Sequence, residues 1–125
     1  MPTITVNADA ATSATSLTLK GNNSINISTA AASNTTGVFT IDASGLSAKA
    51  AGTTTLDINT ATVGTAGTIT LTGSAGDDLI GASAGTPLSA AASTVNGGGG
   101  VDTIFTGAGA DTIDGGAGKD VINSG

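Results

Sequence analysis

The sequence lacks several of the residue types from which catalytic and metal centres are usually built. It contains no cysteine, histidine, glutamate or arginine, and no tryptophan or tyrosine. Without cysteine, disulfides and thiolate metal sites are excluded. Without histidine, cysteine or glutamate, the usual pairs of nucleophile and general base cannot be assembled, and no G-x-S-x-G motif is present. We therefore expect that the chain is not an enzyme.

Positive charge, aromatic side chains and long apolar runs are also scarce. Three lysines stand against nine aspartates, which gives a net charge of −6. A surface with so few cations cannot replace the counterions of phosphates, so we expect no nucleic acid partner. No apolar stretch is long enough to span a bilayer, so we expect no membrane insertion. With two phenylalanines as the only aromatics, the chain can fill a thin, elongated core better than a thick globular one.

Residues 1–72 carry a short alternating pattern of polar and apolar residues. The pattern has period two and is dominated by Thr, Ile, Val and Leu, which is typical of half-buried strands rather than helices. Six strands are predicted: TITV (3–6), SLTL (16–19), SINI (24–27), VFTI (38–41), TLDI (55–58) and TITL (68–71). Their spacing is irregular, so two architectures remain open, an irregular β-solenoid and an antiparallel β-sandwich. We expect little or no helix before residue 82.

From Gly73 onward the sequence is built from nine-residue units. Four units are clear: GSAGDDLIG (73–81), GGGGVDTIF (97–105), TGAGADTID (106–114) and GGAGKDVIN (115–123). A faded copy, LSAAASTVN (88–96), has Ser93 in the place of the aspartate, and removing residues 82–87 would put all five units in one frame. We therefore divide the chain into an irregular β-strand region, residues 1–72, and a repeat region, residues 73–125, with an inserted loop near residues 82–96.

The two halves of each unit predict different local structures. The glycine-rich half predicts a tight turn, because glycine lets the backbone bend sharply and aim its carbonyl oxygens inward. The last three residues predict a short strand whose middle aliphatic side chain points into a narrow core. Two units complete one coil, so units two apart stack and bring their aspartates together. A hard cation with oxygen ligands removes the repulsion between them, and Ca²⁺ accepts about six to eight such oxygens.

The units match G-G-x-G-x-D-x-U-x, where U is a large aliphatic residue, and so resemble the RTX (repeats-in-toxin) calcium-binding β-roll family. The resemblance covers residues 73–81 and 88–123. It implies an all-β fold, a right-handed parallel β-solenoid that ends in an RTX β-roll. It also implies Ca²⁺ as the cofactor.

In the common frame of five units, Asp78, Asp102 and Asp120 form one column, and Ser93 and Asp111 form the other. The first column is predicted to hold two ions, one between Asp78 and Asp102 and one between Asp102 and Asp120. The second column is predicted to bind calcium poorly, because Ser93 offers only a hydroxyl. The predicted ligands are the four aspartates and the turn carbonyls of the same units: Asp78, Gly97, Gly99, Asp102, Asp111, Gly115, Ala117 and Asp120.

The other aspartates do not occupy the sixth place of a unit. Asp77 and Asp114 lie at the fifth and ninth places, where we expect solvent-exposed charges. No metal role is expected for the aspartates outside the repeats, Asp9, Asp42 and Asp57. Ser74 replaces the second glycine of its unit and Thr106 the first glycine of its unit, and both changes are expected to weaken turn formation.

The combination of Thr, Ala, Gly and Asn richness, low aromatic content and repeats is similar to bacterial S-layer and large adhesin proteins. This similarity implies a calcium-binding structural segment of a secreted surface protein, with Ca²⁺ driving folding and self-association into a lattice or filament. The alternative is an auxiliary calcium-binding RTX module of a secreted hydrolase or toxin. The resemblance also implies an extracellular or cell-surface location, reached by a type I export system whose signal is not in this chain.

Overall fold

A computed structural model describes the following parts of the chain: residues 3–6, 15–29, 38–60, 68–81, 88 and 91–125. These parts form eleven β-strands: β1 (Thr3–Val6), β2 (Thr15–Gly21), β3 (Ile25–Thr29), β4 (Val38–Leu46), β5 (Leu56–Thr60), β6 (Thr68–Thr72), β7 (Asp78–Ile80), β8 (Ser93–Asn96), β9 (Thr103–Phe105), β10 (Thr112–Asp114) and β11 (Val121–Asn123). None of the residues described is helical, so no helix among them could cross a membrane. Residues 82–87, the part of the predicted inserted loop that falls outside the common frame, lie outside the described residues, as does Asp9.

The strands alternate between two parallel sheets. The odd-numbered strands form a six-stranded sheet in the order β1-β3-β5-β7-β9-β11, and the even-numbered strands form a five-stranded sheet in the order β2-β4-β6-β8-β10. Every strand pair is parallel. Each coil therefore contributes one strand to each sheet, which is the arrangement of a parallel β-solenoid.

The parallel pairing decides between the two architectures left open for residues 1–72. In this region β1 pairs with β3, β3 with β5, β2 with β4 and β4 with β6, all in parallel. The antiparallel sandwich is therefore wrong, and the solenoid is confirmed. Sequence alternation alone does not distinguish the two, because each fold buries one face of every strand. All six strands predicted in this region are present, although β4 continues to Leu46 because Ala43 and Leu46 are also buried.

The core is a narrow double layer of aliphatic side chains between the two sheets. In the long N-terminal coils, each of β3 to β6 buries at least two apolar side chains, among them Ile25 and Ile27, Phe39 and Ile41, Leu56 and Ile58, and Ile69 and Leu71. In the repeat region β7, β8 and β9 each bury one, namely Ile80, Val95 and Ile104, while Ile113 of β10 is only partly buried and Ile122 of β11 is exposed. The short C-terminal coils therefore gain less from apolar burial than the N-terminal coils do.

The change from two buried apolar residues to one happens at a defined place in the register. Leu56 of β5 pairs with Asp78 of β7, and Ile69 of β6 pairs with Ser93 of β8. The inward-facing place that holds an aliphatic side chain in the N-terminal coils thus holds a polar side chain in the repeats. A polar group in such a place needs a partner, because its burial without one is costly.

Candidate metal centre

The structure brings Asp78, Asp102 and Asp120 into one column, which runs across the six-stranded sheet where its strands begin. The backbone N–H of Leu56 donates to Asp78 Oδ1 at 3.1 Å, and that of Asp78 donates to Asp102 Oδ1 at 2.9 Å. The N–H of Asp102 in turn donates to Asp120 Oδ1 at 3.0 Å. Each carboxylate therefore spans the step between two successive coils, and one of its oxygens is used for that purpose.

A second column, formed by Ser93 and Asp111, runs across the five-stranded sheet where its strands begin, as the common frame predicts. Here the N–H of Ser93 donates to Asp111 Oδ1 at 2.8 Å, the same inter-coil contact as in the first column. The hydroxyl of Ser93 donates to the carbonyl oxygen of Ala91 at 3.3 Å. Ser93 therefore has no carboxylate to offer to the coil before it, and this column contains a single aspartate.

Asp102 is the side chain that best fits a cation. Its side chain is fully buried, and its Oδ2 has no hydrogen-bond partner among the described residues. A Cβ atom on Gly97 would overlap both Asp102 Oδ2 and the carbonyl oxygen of Gly115. The absence of a side chain at Gly97 thus leaves a cradle in which a buried carboxylate oxygen and a carbonyl oxygen face the same space. Hard cations such as Ca²⁺ bind oxygen donors of this kind.

Asp120 repeats part of this arrangement one coil further along. A Cβ atom on Gly115 would overlap Asp120 Oδ2, just as one on Gly97 would overlap Asp102 Oδ2. Asp120 is only partly buried, and its coil is the last one among the described residues. The cradle at Asp120 therefore has the same carboxylate oxygen beside a glycine as the cradle at Asp102. It is less enclosed by other residues.

The turn carbonyls predicted as ligands have different surroundings. The Gly115 oxygen lies beside Asp102 Oδ2, whereas the Ala117 oxygen accepts the N–H of Gly100 at 2.9 Å. Gly99 and Ala117 face each other in an isolated parallel bridge, so their two turns stack in register. The Gly97 oxygen lies against Gly73, one coil earlier. The structure thus stacks all four residues, and their role as calcium ligands stays a prediction.

The other two aspartates of the columns, Asp78 and Asp111, already have partners for both oxygens. The hydroxyl of Ser74 donates to Asp78 Oδ1 and the N–H of Ser74 to Asp78 Oδ2, both at 2.6 Å. The hydroxyl of Thr106 donates to Asp111 Oδ2 at 2.7 Å. The two positions that depart from the glycine pattern are therefore the two that supply hydroxyl donors to the aspartate of their own unit.

Without a bound cation, burial raises the pKa of Asp78 to about 6 and that of Asp102 to about 6. At Asp102 the negative charges of Asp78 and Asp120 raise the pKa further. At Asp78 the hydrogen bonds from Ser74 oppose the effect of burial. A buried carboxylate with a raised pKa, such as that of Asp102, is one that a cation would stabilise in its ionised form.

Asp77 has a role that the sequence did not reveal. Its Oδ2 accepts the N–H of Gly52 at 2.6 Å and its Oδ1 accepts the N–H of Val101 at 2.9 Å. These hydrogen bonds lower the pKa of Asp77, that from Val101 most. The carboxylate thus joins the loop before β5 to the turn before β9. Sequence position gives no signal for this contact, because Gly52 lies in a region without a repeat.

The remaining charged groups of the repeats have local roles. Asp114 is exposed, and its Oδ1 accepts the N–H of Gly116 at 3.0 Å, which is the hydrogen bond of an Asx turn. Lys119 is exposed. Over the ranges that the structure covers, no three acidic side chains converge on one point. A cation in these turns would therefore need carbonyl oxygens to complete its coordination.

Fold and turns together define a class of protein, a parallel β-roll in which stacked glycine-rich turns present carboxylate and carbonyl oxygens. Residues 63–86 and 94–125 match the family model of the RTX calcium-binding nonapeptide repeat, with four copies. These two ranges make up somewhat less than half of the chain, and RTX nonapeptide repeats bind Ca²⁺. No curated protein and no solved structure matches the chain.

Proposed function

We propose that the chain is a calcium-binding structural segment of a secreted bacterial surface protein, in which Ca²⁺ drives folding and assembly. The observation that carries the calcium part is the buried Oδ2 of Asp102, which has no partner among the described residues and faces the Gly115 carbonyl oxygen across Gly97. A cation there would relieve both the unsatisfied oxygen and the charge of the column. No catalytic role is part of this proposal.

The structural role is supported by the continuity of the solenoid. The N-terminal coils and the repeat coils share the same two sheets, because β5 pairs with β7 and β6 pairs with β8. A module that only accompanied a separate domain would need no such continuous extension. The S-layer or adhesin type is therefore our first choice, and an auxiliary RTX module of a secreted hydrolase or toxin is the second. RTX repeat proteins are typically exported by type I secretion, so we propose an extracellular or cell-surface location.

Self-association into a lattice or filament is part of this proposal. Val101 and Val121 are large apolar side chains of the repeat region that are 52% and 57% exposed. We propose that these exposed side chains contact a second copy of the chain, giving a lattice or filament.

Two measurements test this function. Circular dichroism in chelator should show reduced β signal, which millimolar Ca²⁺ restores, and an unchanged spectrum would contradict calcium-driven folding. Electron microscopy with Ca²⁺ then separates the two roles. Ordered lattices or filaments would support the structural role, and dispersed monomers at all concentrations would favour the auxiliary module.

A further inference from the structure

The four clear repeat units fall into two kinds of turn. Units 97–105 and 115–123 have glycine with positive φ at both the second and the fourth places, at Gly98 (105°) and Gly100 (113°) and at Gly116 (89°) and Gly118 (149°). The other two units do not share this conformation, since their fourth glycines, Gly76 and Gly109, lack positive φ. Side chains other than glycine rarely adopt positive φ, so the difference is one of backbone shape and not only of composition.

The same division separates the aspartates by their hydrogen bonds. Asp102 and Asp120 belong to the units with two positive-φ glycines, and neither accepts a hydroxyl in the described structure. Asp78 and Asp111 belong to the other two units, and each accepts a hydroxyl from its own unit. Two independent features, backbone shape and hydroxyl donation, therefore sort the four turns in the same way.

Thr106 shows most directly what the hydroxyl does. Thr106 occupies the first place of its unit, which is the place of Gly97 in the unit before it. At Gly97 the missing side chain leaves open the space beside Asp102 Oδ2, whereas at Thr106 the side chain is present and its Oγ1 donates to Asp111 Oδ2 at 2.7 Å. The hydroxyl thus satisfies the carboxylate oxygen whose counterpart in Asp102 has no partner.

Ser74 reaches the same result from the second place of its unit. Its hydroxyl and its N–H both donate to Asp78, and the hydroxyl lies between Asp78 Oδ1 and the carbonyl oxygen of Gly76 at 3.1 Å. A cation near Asp78 would have to compete with two donors that already hold both carboxylate oxygens. The Ser74 side chain is itself buried, so water does not replace it readily.

We infer that the hydroxyl groups of Ser74 and Thr106 take the place of calcium at Asp78 and Asp111, so that calcium is confined to the turns of Asp102 and Asp120. This inference rests on the proposed calcium-binding function and narrows it. The turn of Asp78 then closes without metal and presents a finished coil on which the calcium-dependent coils can stack. The dependence of folding on calcium begins near Gly97 and not at Gly73, where the repeats begin in the sequence.

Variants of Thr106 in the full chain test the inference. Thr106→Gly removes the hydroxyl and opens the place beside Asp111, so isothermal titration with CaCl₂ should give a higher stoichiometry than for the wild type. Thr106→Val removes the hydroxyl and keeps the volume, so the stoichiometry should not rise. Thr94→Val on the exposed face of β8 is the control and should change neither the calcium stoichiometry nor the melting temperature in chelator.

Melting in chelator provides a second readout that does not depend on bound metal. Thr106→Val should lower the melting temperature by on the order of 5 °C, because Asp111 loses a hydrogen bond to its charged group, while Thr106→Ser keeps that bond and should melt near the wild type. Equal melting of Thr106→Val and Thr106→Ser would overturn the inference. Unchanged stoichiometry in a folded Thr106→Gly variant would do so as well. A wild-type chain that binds no calcium would instead contradict the proposed function.

Discussion

The N-terminal coils and the repeat coils share one architecture and differ in what fills the inward-facing place at the start of each strand. In the six-stranded sheet this place holds Ile25 and Leu56 in the earlier coils and Asp78, Asp102 and Asp120 in the later ones. An aliphatic side chain stabilises such a place by leaving water, whereas a carboxylate destabilises it unless it is paired. The same solenoid is thus stabilised by apolar burial in its N-terminal coils and by polar partners in its repeat coils.

The last coils of the roll are also the shortest among the paired strands. Asn26 and Asp57 face each other across adjacent coils and are 31 residues apart, whereas Asp102 and Asp120 are 18 residues apart. Short coils have three-residue strands with one inward side chain, so they bury little apolar surface. Their stability must therefore come from the turns, where the backbone hydrogen bonds and the carboxylates lie.

The largest expected effect is a core substitution in the N-terminal coils. Ile58 is fully buried, and Ile58→Ala should lower the free energy of unfolding by about 2–5 kcal/mol through loss of burial and the cavity that remains. Urea denaturation should give the same loss in chelator and in Ca²⁺, because this part of the core does not depend on metal. Ile122→Ala, at a half-exposed side chain, is the control and should cost much less. A loss at Ile58 that vanished in Ca²⁺ would break the comparison.

The next effect is a difference in calcium binding between the two columns of the repeat region. Asp102→Ala should remove more bound calcium than Asp111→Ala, because Asp102 Oδ2 has no partner in the described structure and Asp111 Oδ2 is held by Thr106. Each site lost should reduce stability by about 1.4 kcal/mol when calcium is present at ten times its Kd. Isothermal titration of the two variants measures the difference. Equal losses of bound calcium, or a greater loss for Asp111→Ala, would contradict the distinction between the two columns.

A smaller effect concerns pH. In the calcium-free chain the pKa values of Asp78 and Asp102 are raised from 3.8 to about 6, so the folded state holds protons that the unfolded chain has released. Between pH 4 and pH 6, stability in chelator should therefore fall as pH rises, since the folded state binds more protons than the unfolded state. With Ca²⁺ present, the trend should reverse, because protons compete with the cation for the carboxylate of Asp102.

Urea denaturation at pH 5 and pH 7, with chelator and with Ca²⁺, measures both slopes. Asp102→Asn cannot titrate at that position and should reduce both of them. A chelated wild-type chain that is more stable at pH 7 than at pH 5 would mean that Asp78 and Asp102 are not the groups that control stability in this pH range.

The smallest effect is expected at Asp114. This exposed side chain accepts a single local hydrogen bond from Gly116, and it lies outside both aspartate columns. Asp114→Ala should leave the calcium stoichiometry unchanged and alter the melting temperature little, as is usual for surface positions. A lower stoichiometry in this variant would show that charge alone, and not the column, attracts the ion.

Much of this organisation could be predicted from the sequence. Alternation with period two located all six strands of residues 1–72, and the nine-residue period located the short strands of β9, β10 and β11. The frame with Ser93 in the place of an aspartate predicted the two columns, which the hydrogen bonds of Asp102 and Asp111 reproduce. These features are periodic, and a period in sequence becomes a column in a solenoid.

Other features have no periodic signal. The parallel pairing of residues 1–72 depends on contacts between residues more than twenty apart, and alternation is the same in either fold. Ser74 and Thr106 are visible in the sequence as departures from glycine, which predicts weaker turns. Their hydroxyls instead hold Asp78 and Asp111. Which atom a hydroxyl reaches is set by backbone shape within the turn, and a one-letter pattern does not contain it.

The central claim is that apolar burial stabilises the N-terminal coils and calcium stabilises the repeat coils. Hydrogen exchange followed by mass spectrometry, with chelator and with Ca²⁺, tests this claim most directly. We predict that amides of β3 to β6 stay protected in both conditions, while amides of β9 to β11 exchange rapidly in chelator and become protected in Ca²⁺. The boundary should fall between the turn of Asp78 and Gly97. Protection that rose uniformly along the chain on adding Ca²⁺, or did not respond to it anywhere, would contradict the account.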